Sequence, residues 1–217
     1  GGGGGPGEGK KGKATRKREK ERLKAKEREE RIAAEKAGAG PSPREVEMGA
    51  LGSALEKGDP AASPHPVPPL KVHEVLSDGH CLYRAVDHQL SLRESGKLHG
   101  HLAVRGACAA WMRAHPSDFS PFVDLGAAPN GDFESYCAQV ESSAEWGGHP
   151  ELIALARALR VPIRVHAVDA AQPLLFEPEE AAETMGKAEK PLEKPLELTY
   201  HRHFYALGEH YNSTLPL

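Results

Sequence analysis

The chain is poor in cysteine and in aromatic side chains. Among 217 residues there are three Cys and three Met, and Phe, Trp and Tyr together make up 6%. Three cysteines, odd in number and widely spaced, argue against the disulfide framework of a small secreted domain. They fit a reducing compartment, so the cytoplasm is the expected location, with the nucleus as a second. No stretch approaches the roughly 18 consecutive apolar residues of a membrane span. No apolar core of a secretory signal follows the opening glycines, and a membrane is not an expected partner. Internal repeats are also missing.

Gly and Pro, in contrast, are plentiful at 23 and 18 residues, and charge is plentiful but uneven. Residues 1–40 carry 13 Lys/Arg against 7 Asp/Glu, while the remainder carries 15 against 24. The formal net charge of -3 thus conceals a basic arm joined to an acidic body, and the two halves are expected to meet different partners. The chain begins on five glycines without Met, as a fragment of a longer protein would.

Residues 1–13, rich in Gly and Lys, have the composition of a disordered segment. Residues 15–36 are strong helix formers with charge pairs at helical spacing, such as Glu27 with Arg31. Leu23 and Ile32 are their only large apolar side chains, too few for a buried stripe. The arm of residues 1–40 therefore reads as a solvated helix or the end of a coiled coil. A sharper reading is an RNA, ribosome or nuclear-import arm, but the run lacks interleaved aromatics and any reading motif. Residues 41–70 switch to Gly, Pro, Ser and Ala and read as a linker, with a helical turn near 46–55.

From residue 71 to 217 the pattern becomes that of a folded domain. Apolar spacing predicts helices over 81–92, 102–114, 117–125, 132–143 and 150–159. Short strands are expected over 72–76, 162–168, 173–176, 196–200 and 210–213. Helices dominate the first half and strands the second, which indicates an α+β domain with a small sheet flanked by helices.

Cys81 follows a Ser77-Asp78-Gly79 turn and opens a helix. Unpaired backbone N–H groups and the helix dipole there stabilise an anion, which suits a nucleophilic thiolate. Position alone leaves a second reading open, that of a small packing residue. Cys108 and Cys137, mid-helix among apolar neighbours, read only as the latter. A thiol nucleophile also needs a base, and among twelve histidines His210 stands out. In an extended strand Asn212 shares its face, so one short segment supplies an imidazole and the amide that orients it. A satisfied strand histidine is the plain alternative. His201 and His203 alternate in the same way, but no third ligand stands at sensible spacing, and neither a metal nor another cofactor is expected. Asp78 shapes the turn or caps the helix, and could also hold a loop whose N–H groups receive an oxyanion.

These segments resemble the ovarian-tumour (OTU) domain cysteine proteases. Ser77-Asp78-Gly79-His80-Cys81-Leu82-Tyr83-Arg84-Ala85 is similar to the family's cysteine motif, and Gly208-Glu209-His210-Tyr211-Asn212-Ser213 to its histidine motif. Between them, Ala144-Glu145-Trp146-Gly147-Gly148 with Glu151-Leu152 and Leu155-Ala156 resembles the variable loop and the helix after it. The three motifs stand in family order from Val75 to Ser213. Within the family the chain is most like the OTU domain-containing protein 6 subgroup, which also carries a charged N-terminal region and uses His where many members have Asn at position 80.

The resemblance implies an OTU-like fold and a deubiquitinating thiol protease that hydrolyses isopeptide bonds at the ubiquitin C-terminus. Cys81 would be the nucleophile, His210 the base, Asn212 its orienter, and Asp78 part of the oxyanion loop. Trp146, Gly147 and Gly148 would line the channel for the ubiquitin tail, although a core tryptophan beside a turn is the competing reading of Trp146. The expected partners are ubiquitin and ubiquitinated proteins. Two rivals stand beside this: a silent ubiquitin-binding module, and an adaptor that contacts RNA or ribosomes through its basic arm.

Overall fold

The computed structural model describes residues 22, 24–30, 38, 40–62, 64–93, 100–178, 194–205 and 208–217. The chain divides into two units, Gly1–Ser42 and Pro43–Leu217. In the first, residues 24–30 are helical and exposed, and Lys26 pairs with Glu30 one turn on, at 3.7 Å. Most of the arm and the expected disordered segment 1–13 lie outside the described residues.

In the second unit the elements run α1 (Pro43–Lys57), β1 (Leu70–His73), α2 (Cys81–Ser91), α3 (His101–Ala114), α4 (Pro116–Phe119), α5 (Phe133–Ser142), α6 (His149–Leu159), β2 (Ile163–His166), β3 (Leu174–Phe176), β4 (Leu196–Tyr205) and β5 (Gly208–Pro216). The five strands form one sheet in the order β1-β5-β4-β2-β3. All neighbours are antiparallel except β2 and β4, which run parallel. Helices beside one mixed sheet make an α+β fold, as the apolar periods predict.

One face of the sheet is apolar. Leu196 and Leu198 of β4 join Leu82, Val86, Val104, Met112, Leu152 and Leu155 in a core supplied by α2, α3 and α6. Strand alternation sends Glu197, Thr199 and His201 to the opposite face, where they are also buried. A buried polar face needs partners. Glu197 accepts from Arg164 at 2.9 Å and lies 2.8 Å from His166 Nε2, while Arg164 donates to the backbone carbonyls of His65 and Pro66.

Of residues 41–70, read from composition as a linker, all from Pro43 onward thus share a compact unit with the sheet. Pro43–Lys57 is a full helix whose Leu51 and Leu55 pack with Val67 and Leu70. The Pro-rich return is tied by a bridge between Asp59 and Val67.

Two elements depart from the periodic reading. The helix expected over 117–125 is the short α4, followed by 3-10 turns at Ser120–Phe122 and Leu125–Ala127. Pro121 has no N–H for the carbonyl four residues back, and its ring crowds that carbonyl, so the α-helix cannot continue. Strand β1 ends at His73 rather than at residue 76. Beyond it the Val75 amide turns to the Asn212 side chain, at 2.9 Å, instead of extending the ladder. The long β5 arises because it is paired on both sides.

Candidate active site

Helix α2 and strand β5 meet where the sequence motifs place their chemistry. Gln89 of α2 donates to the Ser213 hydroxyl and the Thr214 carbonyl, and His88 Nδ1 lies 2.7 Å from the same hydroxyl. These contacts hold the helix along the strand, so its first residue, Cys81, reaches the strand's beginning. The backbone amide of Tyr211, the neighbour of His210, and those of Leu82 and of Cys81 itself are close enough to the thiol there to favour its anion.

The loop before Cys81 is held from both ends. Gly79 has φ +82, and a Cβ on it would lie 2.3 Å from the Ala144 carbonyl oxygen, so only glycine fits there. Asp78 accepts from the His80 amide and receives a two-pronged contact from Arg84, whose Nη2 lies 2.6 Å away. The guanidinium bonds, ahead of that amide, hold the Asp78 carboxyl down at about 2. Asp78 is therefore an anion that fastens the loop to the first turn of α2.

Asn212 fixes the imidazole. Its Oδ1 accepts the Val75 amide, which identifies that atom as the oxygen, and the same atom lies 3.1 Å from His210 Nε2. Nε2 must then carry a hydrogen, which leaves the lone pair of a neutral ring on Nδ1. Phe204 stacks on the imidazole with centroids 4.7 Å apart and planes 16° apart. His210 and Asn212 are both buried.

Electrostatics correct one expectation. The helix N-terminus predicts a resting thiolate, but burial raises the Cys81 thiol above its ordinary value and outweighs the three amides that favour the anion. Burial likewise lowers His210 below 6.5, ahead of the opposing bonds to Asn212 and Val75. Both shifts favour the uncharged forms, a thiol and a neutral imidazole.

The 144–148 loop lies against this site. A Cβ on Gly147 would come 2.6 Å from Leu82 Cδ2, and one on Gly208 would come 4.0 Å from the Trp146 ring. Trp146 is 57% exposed, not a core residue. Gly148 donates to Glu151 Oε2 at 2.6 Å, capping α6 and closing the loop.

Sequence reasoning passed over Arg105, which joins the two loops. This fully buried guanidinium donates to the carbonyls of Val140 at 2.6 Å and Glu145 at 2.8 Å. It also lies 3.2 Å from His80 Nδ1 and 4.1 Å over the Tyr83 ring. The available signal was an arginine inside the apolar stripe of α3, among Val104, Cys108, Ala109 and Met112. His201 and His203 do not converge. A register shift between His201 and Tyr205 leaves His201 buried and His203 exposed. Among the described residues no group of three His, Cys, Asp or Glu is placed to hold a metal.

Thiol, imidazole and amide, with backbone donors around the sulfur, are the groups a cysteine hydrolase uses. The OTU-like cysteine protease family matches residues 76–211, and the chain belongs to that family. It is 36% identical over 155 residues to human "Deubiquitinase OTUD6B", an alignment covering 68% of this chain and 47% of that protein. Identity is 31% over 144 residues with "Ubiquitin thioesterase otu2" of Schizosaccharomyces pombe, covering 65% of this chain and 44% of that one. A solved "Ovarian Tumor (OTU) domain in complex with Ubiquitin" aligns at TM-score 0.47 and 23% identity, over 67% of this chain and 69% of the other. The chain spans about half the length of the curated relatives it matches.

Proposed function

We propose that the chain is a deubiquitinating cysteine protease with Cys81 as nucleophile and His210 as general base. One observation carries the reading: the backbone amide that favours the Cys81 anion from strand β5 is that of Tyr211, the residue next to His210, whose imidazole is oriented by Asn212. Kinship with proteins named deubiquitinase and ubiquitin thioesterase supports ubiquitin as the acyl group.

With thiol and imidazole both favoured in their uncharged forms, the thiol proton passes to His210 Nδ1 as sulfur attacks the carbonyl of ubiquitin's terminal glycine. Amides around Cys81, in the loop that Asp78 fastens, receive the developing oxyanion. The C–N bond then breaks, His210 returns its proton to the departing lysine amine, and a thioester remains. Water, deprotonated by the same imidazole, hydrolyses the thioester. Trp146 and the two glycines after it flank the approach of the tail. An open cleft lined by Glu74, Val75, Leu76, Ser77, Arg84 and Asp87 lies along the Asp78 loop, and its carboxylates suit a tail carrying arginines.

The test is reaction with ubiquitin bearing a C-terminal electrophile, together with hydrolysis of linkage-defined diubiquitins. A covalent adduct and cleavage, both lost in Cys81→Ala, are expected. Binding without adduct would replace the enzyme by a ubiquitin-binding module. RNA or ribosome contact through residues 1–40 is an accessory proposal, refuted by equal RNA binding with and without the arm.

A further inference from the structure

Helix α1 lies outside residues 76–211, yet two of its side chains reach the neighbourhood of the imidazole. Arg44 places its guanidinium carbon 4.1 Å over the centroid of Phe204, whose ring is itself stacked on His210. Phe204 is 1% exposed. A planar guanidinium, an aryl ring and the imidazole therefore form a layered column. One turn on, Glu47 accepts the backbone amides of Arg202 at 2.8 Å and His203 at 2.9 Å. Those amides belong to the stretch of β4 where the register with β5 shifts, just before Phe204. A strand that leaves its ladder has amides without ladder partners, and the Glu47 carboxylate supplies them. Arg44 also pairs with Glu74 at 3.3 Å, and Glu74 precedes Val75, whose amide binds Asn212. From α1 the constraints thus reach His210 along two routes, through the face of its ring and through its orienting amide.

Resting on the reading of His210 as the base, we infer that α1 is part of the active-site scaffold, with Arg44 and Glu47 as positioning residues that hold Phe204, and through it the imidazole, in place. Neither residue touches the reacting atoms. Charged and titratable groups facing His210 are Arg44 from α1, Glu74 from the loop after β1, and His201 from β4. The Tyr211 amide, next to His210 in the strand, favours the Cys81 anion. Arg44 opposes a second cation at the imidazole and Glu74 favours it. Removing the guanidinium therefore makes the ring easier to protonate.

The experiment uses the full chain with Arg44→Ala, Arg44→Lys and Glu47→Gln, each checked by thermal unfolding. One arm measures kcat and KM on a fluorogenic C-terminal amide of ubiquitin. The other follows iodoacetamide alkylation of Cys81 against pH by mass spectrometry. Arg44→Ala is expected to lower kcat about tenfold with KM within about twofold, since a displaced base costs rate more than binding. Its alkylation profile should begin at higher pH. Arg44→Lys keeps the charge without the flat stack, so it should restore the pH profile but not kcat. Glu47→Gln should lower kcat by less than Arg44→Ala. The inference is overturned if Arg44→Ala keeps kcat within about twofold of the parent while folded, or if the loss only tracks the unfolded fraction. A parent chain that cleaves no ubiquitin substrate defeats the proposed protease instead, and the alkylation arm alone then decides the role of α1.

Discussion

Asn212→Ala separates the work of the site from the stability of the fold. The side chain is fully buried and its Oδ1 accepts from the Val75 amide and from His210, but its Nδ2 has no partner. Truncation orphans the Val75 amide, at about 1–3 kcal/mol for a buried unsatisfied donor. It also removes the orphaned Nδ2, whose burial carries a penalty of the same order. The two terms oppose each other, so net destabilisation should stay under about 2 kcal/mol. At about 2–4 °C per kcal/mol for a chain of this size, the unfolding temperature drops by less than about 8 °C. Catalysis has no such compensation. Without the amide the ring can rotate and take the wrong tautomer, and kcat/KM should fall about a hundredfold. The assay pairs ubiquitin C-terminal amide hydrolysis with scanning calorimetry. A rate loss below about threefold, or one that follows unfolding at the assay temperature, refutes the argument.

Three further outcomes follow from the geometry. His210 must be neutral to act as base, and burial holds it below 6.5, so the acid limb of kcat/KM should fall below pH 6.5; a limb above that value contradicts the burial argument. Gly79→Ala, at φ +82 and 2.3 Å from the Ala144 carbonyl, should displace the Asp78 loop and cut activity at least about a hundredfold, while a crystal structure with the loop unmoved and full activity would count against it. His201 is buried with its proton affinity pushed down to about 4, so it stays neutral when folded and protonates when unfolded below 6.5. Stability should then fall by up to about 3 kcal/mol as pH drops from 6.5 to 4, and His201→Gln should flatten that slope in denaturant titrations.

Much of the helical half was legible because its apolar spacing is regular. Leu82, Ala85, Val86 and Gln89 are buried on α2 as their period predicts. Position also told apart the three cysteines, since Cys108 and Cys137 are buried while Cys81 is partly open. Less legible was what depends on distant partners. Residues 43–70 look like a linker because Gly and Pro mask a helix whose only deeply buried side chains are Leu51 and Leu55. The need for that helix lies elsewhere, in the polar back face of β4, and local composition cannot show it. Arg105 was hidden for a similar reason: its partners are carbonyls of Val140 and Glu145, and a carbonyl leaves no mark in the sequence. The partial covering that raises the Cys81 thiol is likewise a property of the assembled fold.

Strand β5 has a consequence for how this protein tolerates change. Within five consecutive positions it supplies the imidazole, the amide at the sulfur, the side chain that sets the tautomer, the hydroxyl beside His88, and a carbonyl that holds Gln89. A substitution at one of these positions can leave the other four duties in place. An inserted or deleted residue cannot, since it would reassign every one of these duties at once, so length variation should be tolerated in the connections around this strand and purged from within it.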